Sequence, residues 1–118
     1  MKTLVLGAST NPERYSYKAI HKLVNNNHEV VAVGNKIGEV AGIVIEKQPI
    51  KYPDVHTVTL YLNPIRQRDY YDYIIALNPE RVIFNPGTEN LELYNLLEAK
   101  GISFEIACTL VLLATEQY

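Results

Sequence analysis

The residues best suited to chemistry cluster where apolar runs end. Gly7-Ala8-Ser9-Thr10-Asn11-Pro12-Glu13-Arg14-Tyr15-Ser16 follows the run Thr3 to Leu6. Gly34-Asn35-Lys36 follows Val30 to Val33, and Asn63-Pro64 follows Thr57 to Leu62. Asn85-Pro86-Gly87 follows Arg81 to Phe84, and Ala107-Cys108-Thr109 follows Ile102 to Ile106. These segments carry glycine, amide, hydroxyl and proline, with Glu13 as their only carboxylate. Backbone N–H groups, hydroxyls and amides at a helix N-terminus make a pocket for an anion. Gly7 permits close backbone approach, and Ser9 and Ser16 can donate to phosphate oxygens. Arg14 and Lys36 can supply positive charge. Taken singly, the glycine and serines also read as turn and cap chemistry, and Lys36 as a solvated loop lysine. The strand–turn–helix setting is what favours phosphate.

The residues for catalysis are less well placed. His21 falls in a helical stretch, His28 at its end and His56 before a strand, so none follows a strand's carboxyl end. No carboxylate pair is spaced for acid–base work, and neither H-E-x-x-H nor G-x-S-x-G occurs. Cys108 reads either as a small core residue or as a thiol facing a ligand's reactive end. The first loop keeps only the first glycine of G-x-G-x-x-G. The second strand ends in Gly34-Asn35-Lys36 rather than in the acid that holds an NAD ribose. A cation there suits a ribose that carries a phosphate, as in NADP or coenzyme A.

The elements that must position these residues follow from hydrophobic pattern. Short apolar runs without alternation are strands buried on both faces. They fall at Thr3–Leu6, Val30–Val33, Thr57–Leu62, Arg81–Phe84 and Ile102–Ile106. Between them, Ala19, Ile20, Leu23 and Val24 mark a first helix with Ser16 as its N-cap, ended by Asn25-Asn26-Asn27. Pro64 opens a second helix carrying Tyr70, Tyr73, Ile74 and Leu77, stopped by Asn78-Pro79. Leu93, Leu96 and Leu97 mark a third, ending at Gly101, and Cys108 to Glu116 reads as a last one. Asn35 to Pro53 reads as a loop with one small extended or helical piece, Ile43-Val44-Ile45.

This alternation predicts one α/β domain over residues 1–118, Rossmann-like. Its five-stranded parallel sheet has helices on both faces and the order 3-2-1-4-5. Ligands then bind at the carboxyl ends, at the switch point between the first and fourth strands.

The chain has 118 residues and a formal net charge of -2, with no basic stripe, which argues against a nucleic-acid partner. Its one cysteine cannot build a disulfide framework. No apolar run approaches spanning length and the opening residues resemble no signal peptide, so a cytoplasmic setting without a membrane partner is expected. Nine tyrosines and no tryptophan, with Tyr70, Tyr71 and Tyr73 close together, suit either the edge of a core or the face of a homodimer.

Leu6-Gly7-Ala8-Ser9-Thr10-Asn11-Pro12-Glu13-Arg14-Tyr15-Ser16-Tyr17 closely resembles the opening motif of the small stand-alone coenzyme A-binding proteins. Those proteins are similar to the coenzyme A-binding domain of the succinyl-CoA synthetase alpha subunit. The resemblance spans nearly the whole chain. It implies a Rossmann-like fold with coenzyme A or an acyl-CoA at the strand ends. By position, Gly7, Ala8, Ser9, Asn11, Arg14 and Ser16 match the family's first loop, and Lys36 falls near its basic position. Asn63-Pro64 and Asn85-Pro86-Gly87 match the later loops. The family often has arginine where this chain has Leu62, tryptophan and glutamine where it has Ile83 and Asn85, and aspartate where it has His56. The synthetase's catalytic histidine belongs to a later domain, so its activity does not carry over. Three readings result: a non-catalytic coenzyme A module, a small NADP-linked or nucleotide-modifying enzyme using the same pocket, or a member that has lost its ligand and serves as a dimeric interaction protein.

Overall fold

In a computed structural model describing residues 1–118, the five apolar runs form parallel strands. They are β1 (Lys2–Ala8), β2 (Glu29–Gly34), β5 (Val55–Leu60), β6 (Arg81–Phe84) and β7 (Ser103–Ile106). Two short strands, β3 (Gly38–Val40) and β4 (Ile43–Glu46), lie between β2 and β5 in the chain. The helices are α1 (Tyr15–Asn25), α2 (Pro64–Gln67), α3 (Tyr71–Leu77), α4 (Leu91–Ala99) and α5 (Thr109–Ala114). None is long and apolar enough to cross a membrane.

The sheet has seven strands, not five, in the order β3-β4-β2-β1-β5-β6-β7. It is mixed, because β3 runs antiparallel to β4. The expected order placed the strand ending at Leu62 outside β2; it lies instead beside β1, in register Leu6 to Leu60. The outer place beside β2 belongs to β4, which pairs Ala32 with Ile45. With β4 counted as the third strand, the parallel part of the sheet has six strands in the order 3-2-1-4-5-6, one more than expected. Ile43-Val44-Ile45 is too short to show a period, and only Ile45 is fully buried. What makes it a strand is the hairpin: Ala41 and Gly42 both take positive φ, at 51° and 79°, as a tight two-residue turn requires.

Two cores explain the unbroken apolar runs. On one face, Leu4, Leu6, Val58, Leu60, Val82 and Phe84 pack against Ile74 of α3 and Leu93 and Leu97 of α4. On the other, Val5, Ala8, Ala32 and Ile45 pack against Ile20 and Leu23 of α1 and Leu113 of α5. The second face also holds the strand threonines. Thr59 meets Thr109 of α5 at 2.8 Å, and Thr3 meets the Tyr118 hydroxyl. The Tyr118 ring also lies under the Arg81 guanidinium, at 4.4 Å, and against His28.

Helix ends follow local chemistry. Asn78 takes a left-handed φ of 47° at the close of α3, and Asn27 one of 64° after α1. The stretch from Pro64 to Leu77 is not one helix: a 3-10 turn at Arg68–Tyr70 separates α2 from α3. Ser16 is not the N-cap of α1; Arg14 holds that position and no side chain caps the helix. Tyr71 and Tyr73 donate their hydroxyls inside the chain, to Glu92 and to the Ile50 carbonyl, and so serve the core's edge.

Gly34 ends β2 so close to β1 that a Cβ would run into the Ala8 carbonyl oxygen. Gly34→Ala should therefore cost about 1–3 kcal/mol, read from urea denaturation. A loss below about 0.5 kcal/mol would mean that the two strand ends part easily.

Candidate functional site

The chain leaves β1 for α1 on one face of the sheet and leaves β5 for α2 and α3 on the other. The two strands are neighbours, so a crevice must open beyond their carboxyl ends. The switch point thus lies between β1 and the strand after the β3–β4 hairpin. Their last bond is Tyr61 N–H to the Leu6 carbonyl, at 2.9 Å. Gly7 then turns away with φ of +96°, and a Cβ there would sit 2.9 Å from the Tyr61 carbonyl carbon and 3.1 Å from the Leu62 side chain. Only glycine meets both demands.

Above this point lies a cleft of about 630 Å³, within the range of small-molecule sites. Of the residues singled out from sequence, Gly7, Ala8, Ser9, Arg14, Ser16, Asn63, Pro86 and Gly87 line it. Gly34 and Asn35 join them from the end of β2. Asn11, Lys36, Pro64 and Asn85 do not line it. Asn11 shapes the first loop from outside: its Oδ1 accepts from Glu13 N–H at 3.0 Å, and its own N–H donates to Ser9 Oγ at 3.1 Å. Lys36 is exposed one residue beyond Asn35. Pro64 starts α2 behind Asn63, whose Oδ1 caps the helix by accepting from Arg66 N–H at 2.9 Å.

Asn85 is the larger departure from expectation. It is 2% exposed, beneath the cleft. Its Nδ2 donates to Thr59 Oγ1 at 2.7 Å and to the Leu60 carbonyl at 2.8 Å, and its Oδ1 accepts from Thr109 N–H at 2.9 Å. Both amide protons are committed, so Asn85 ties β5, β6 and the start of α5 together.

The first-turn N–H groups of α1 are the cleft's most available donors. Neither a side-chain cap nor an acid in the first turn satisfies them, and Arg14, Tyr15 and Ser16 form the wall. Unmet N–H groups with the helix dipole behind them favour an anion.

Arg66, Asp69, Tyr61 and Thr88, which the sequence did not single out, also line the cleft, as does Tyr70, which it pointed to only as a core-edge or dimer-face residue. Arg66 was open to inference: it lies three residues after the cap Asn63, so the first turn of α2 brings it back to the loop. Tyr61 and Thr88 gave no such signal. The three histidines lie away from the cleft, and no three metal-ligating side chains are grouped anywhere.

Residues 1–114 match the CoA binding domain family. The chain belongs to that family. The fold is similar to a crystal structure of an uncharacterized protein, with a TM-score of 0.96 and 48% identity over 99% of this chain and 97% of that one. It is also similar to a hypothetical protein from Pyrococcus horikoshii OT3, at TM-score 0.84 and 23% identity over 92% and 78% of the two chains. A Thermus thermophilus protein matches at TM-score 0.87 and 19% identity over 99% and 90%. The last two likenesses concern the fold alone. No curated protein matches the chain.

In this member of the family, Tyr61 forms a wall of the cleft and is itself largely buried. Burial pushes its hydroxyl up to about 12, against the neighbouring hydroxyls of Thr59 and Thr109, which pull the other way. A folded-state value above the unfolded one adds stability that is complete below the unfolded value and lost as pH rises towards the folded one. Unfolding free energy should therefore fall between about pH 10 and about 12. Tyr61→Phe should flatten that fall; an unchanged alkaline limb would contradict it. Asn85→Ala should cost about 2 kcal/mol or more, by chemical denaturation, since it strands buried partners in β5 and at the start of α5.

Proposed function

We propose that this chain is a single cytoplasmic domain that binds coenzyme A or an acyl-CoA in the cleft, as a non-catalytic module. The observation that carries the reading is the meeting of one uncapped helix N-terminus with two arginines. Arg14 comes from the loop after β1 and Arg66 from the first turn after β5. The two cations flank the crevice, opposed by one carboxylate, Asp69. Such a site suits a diphosphate. Membership of the CoA binding domain family supports coenzyme A as its bearer.

In this reading the glycine and serine loop and the start of α1 hold the diphosphate. Exposed Lys36, beside Asn35, meets the 3′-phosphate. Leu62 lines the cleft where a cation would otherwise stand, and Arg66, one helical turn further on, supplies the charge from the same side. Pro86 and Gly87 offer a rim of low polarity along which the pantetheine arm can run.

Isothermal titration with coenzyme A, dephospho-CoA, NADP and NAD tests this. Coenzyme A at a hundredfold excess over its dissociation constant should stabilise the fold by about 2.7 kcal/mol. Dephospho-CoA should bind more weakly, and Lys36→Ala should erase that difference. Arg66→Ala and Arg14→Ala should each weaken coenzyme A about tenfold or more, as expected for hydrogen bonds to a charged group. Binding of NADP alone would replace this reading with the NADP-linked enzyme, and no binding by any of the four would remove both.

A further inference from the structure

Gln67 ends α2 with no exposed surface, under the cleft rather than in it. Its Nε2 donates to the Leu62 carbonyl at 2.8 Å and to the Thr88 carbonyl at 2.8 Å. Leu62 and Thr88 both line the cleft, one on the loop after β5 and the other on the loop after β6. One buried side chain thus bridges two ligand loops that do not pair as strands.

Its orientation is set from behind. Asn90 Nδ2 donates to Gln67 Oε1 at 2.8 Å and to the Tyr71 hydroxyl at 2.9 Å, and that hydroxyl donates to Glu92 at 2.9 Å. Asn90 Oδ1 accepts from Leu93 N–H at 3.3 Å and so caps α4. All four amide protons of the two side chains are committed. A flipped Gln67 would aim its oxygen at two carbonyl oxygens and its nitrogen at another amide nitrogen. An apolar side chain of similar length would avoid the cost of burying an amide here. The glutamine earns its place only by what it joins.

The geometry points to Gln67, oriented by Asn90, as a positioning residue that sets the gap between loop 61–63 and loop 86–88, and so the shape of the coenzyme A site. The part that concerns coenzyme A rests on the function proposed above; the bridging of the loops does not.

The test uses Gln67→Met, which keeps length and deletes the bridge, and Gln67→Glu, whose carboxylate would repel both carbonyls until it gains a proton. An Ile74 truncation, to valine or alanine, serves as a control matched for stability in the neighbouring core. Amide hydrogen exchange is followed in the free proteins over residues 61–66 and 84–90, and coenzyme A affinity by calorimetry. For Gln67→Met, exchange in both segments should rise at least tenfold and the dissociation constant should rise at least tenfold. The matched control should move neither. Gln67→Glu should return towards wild type between pH 8 and pH 5, as its proton restores one donor. Unchanged exchange in Gln67→Met, or an equal rise in the control, would overturn the role. A wild type that binds no coenzyme A, with exchange altered as expected, would leave Gln67 as the bridge and remove only the ligand assigned to the cleft.

Discussion

Two neighbouring parallel strands whose chains depart to opposite faces cannot both be covered at their ends. β1 feeds α1 on one side of the sheet and β5 feeds α2 and α3 on the other. Each crossover is drawn to its own face by an apolar stripe: Ile20 and Leu23 in α1, Ile74 in α3. The crevice is what remains where neither helix reaches, and burial of the two cores maintains it. Gly7 sharpens this geometry, because a side chain there would collide with the Tyr61 carbonyl carbon and the Leu62 side chain.

Polar groups near this point divide into two populations. Those under the cleft are fully engaged with the protein: Asn85 with Thr59, Leu60 and Thr109, and Gln67 with Leu62 and Thr88. Those at its surface have donors to spare: the first-turn N–H groups of α1 and the guanidinium groups of Arg14 and Arg66. The first population holds the loops in place, because leaving any buried member unpaired is costly. The second makes no hydrogen bond within the protein and faces a cleft with a single carboxylate, Asp69, so it is open to an anion. A rigid base beneath an unsatisfied rim is the arrangement expected of a preorganised binding site.

Much of this was legible in the residues. Apolar runs located all five long parallel strands, since a strand covered on both faces needs no alternation. Asn27, Asn78 and Gly101 marked helix ends through their tolerance of positive φ. Reading the segments after each strand brought out most of the cleft's first-loop wall, because the fold class dictates where strand ends point. The β3–β4 hairpin escaped, being too short for periodicity and built by a turn. Arg66 escaped because it lies within α2, beyond the turn Asn63-Pro64 that marks the strand's end. Asn85 drew notice for the right place and the wrong reason: an amide after a strand looks like a ligand donor until its partners are known.

By itself, the sequence determined the class of fold, the five long parallel strands, the helix ends at Asn27, Asn78 and Gly101, and the chemical type of the loops. All of these depend on neighbours a few residues apart, through hydrophobic period, backbone φ preference and capping. Tertiary structure decided which strand lies beside β1, which amides are already paired, and which cations share the crevice. These are matters of contact between segments distant in the chain. Asn85 meets Thr109 across 24 residues and Gln67 meets Thr88 across 21. No local pattern encodes such a meeting, because a hydrogen bond depends on where two atoms arrive and not on how the chain between them is composed.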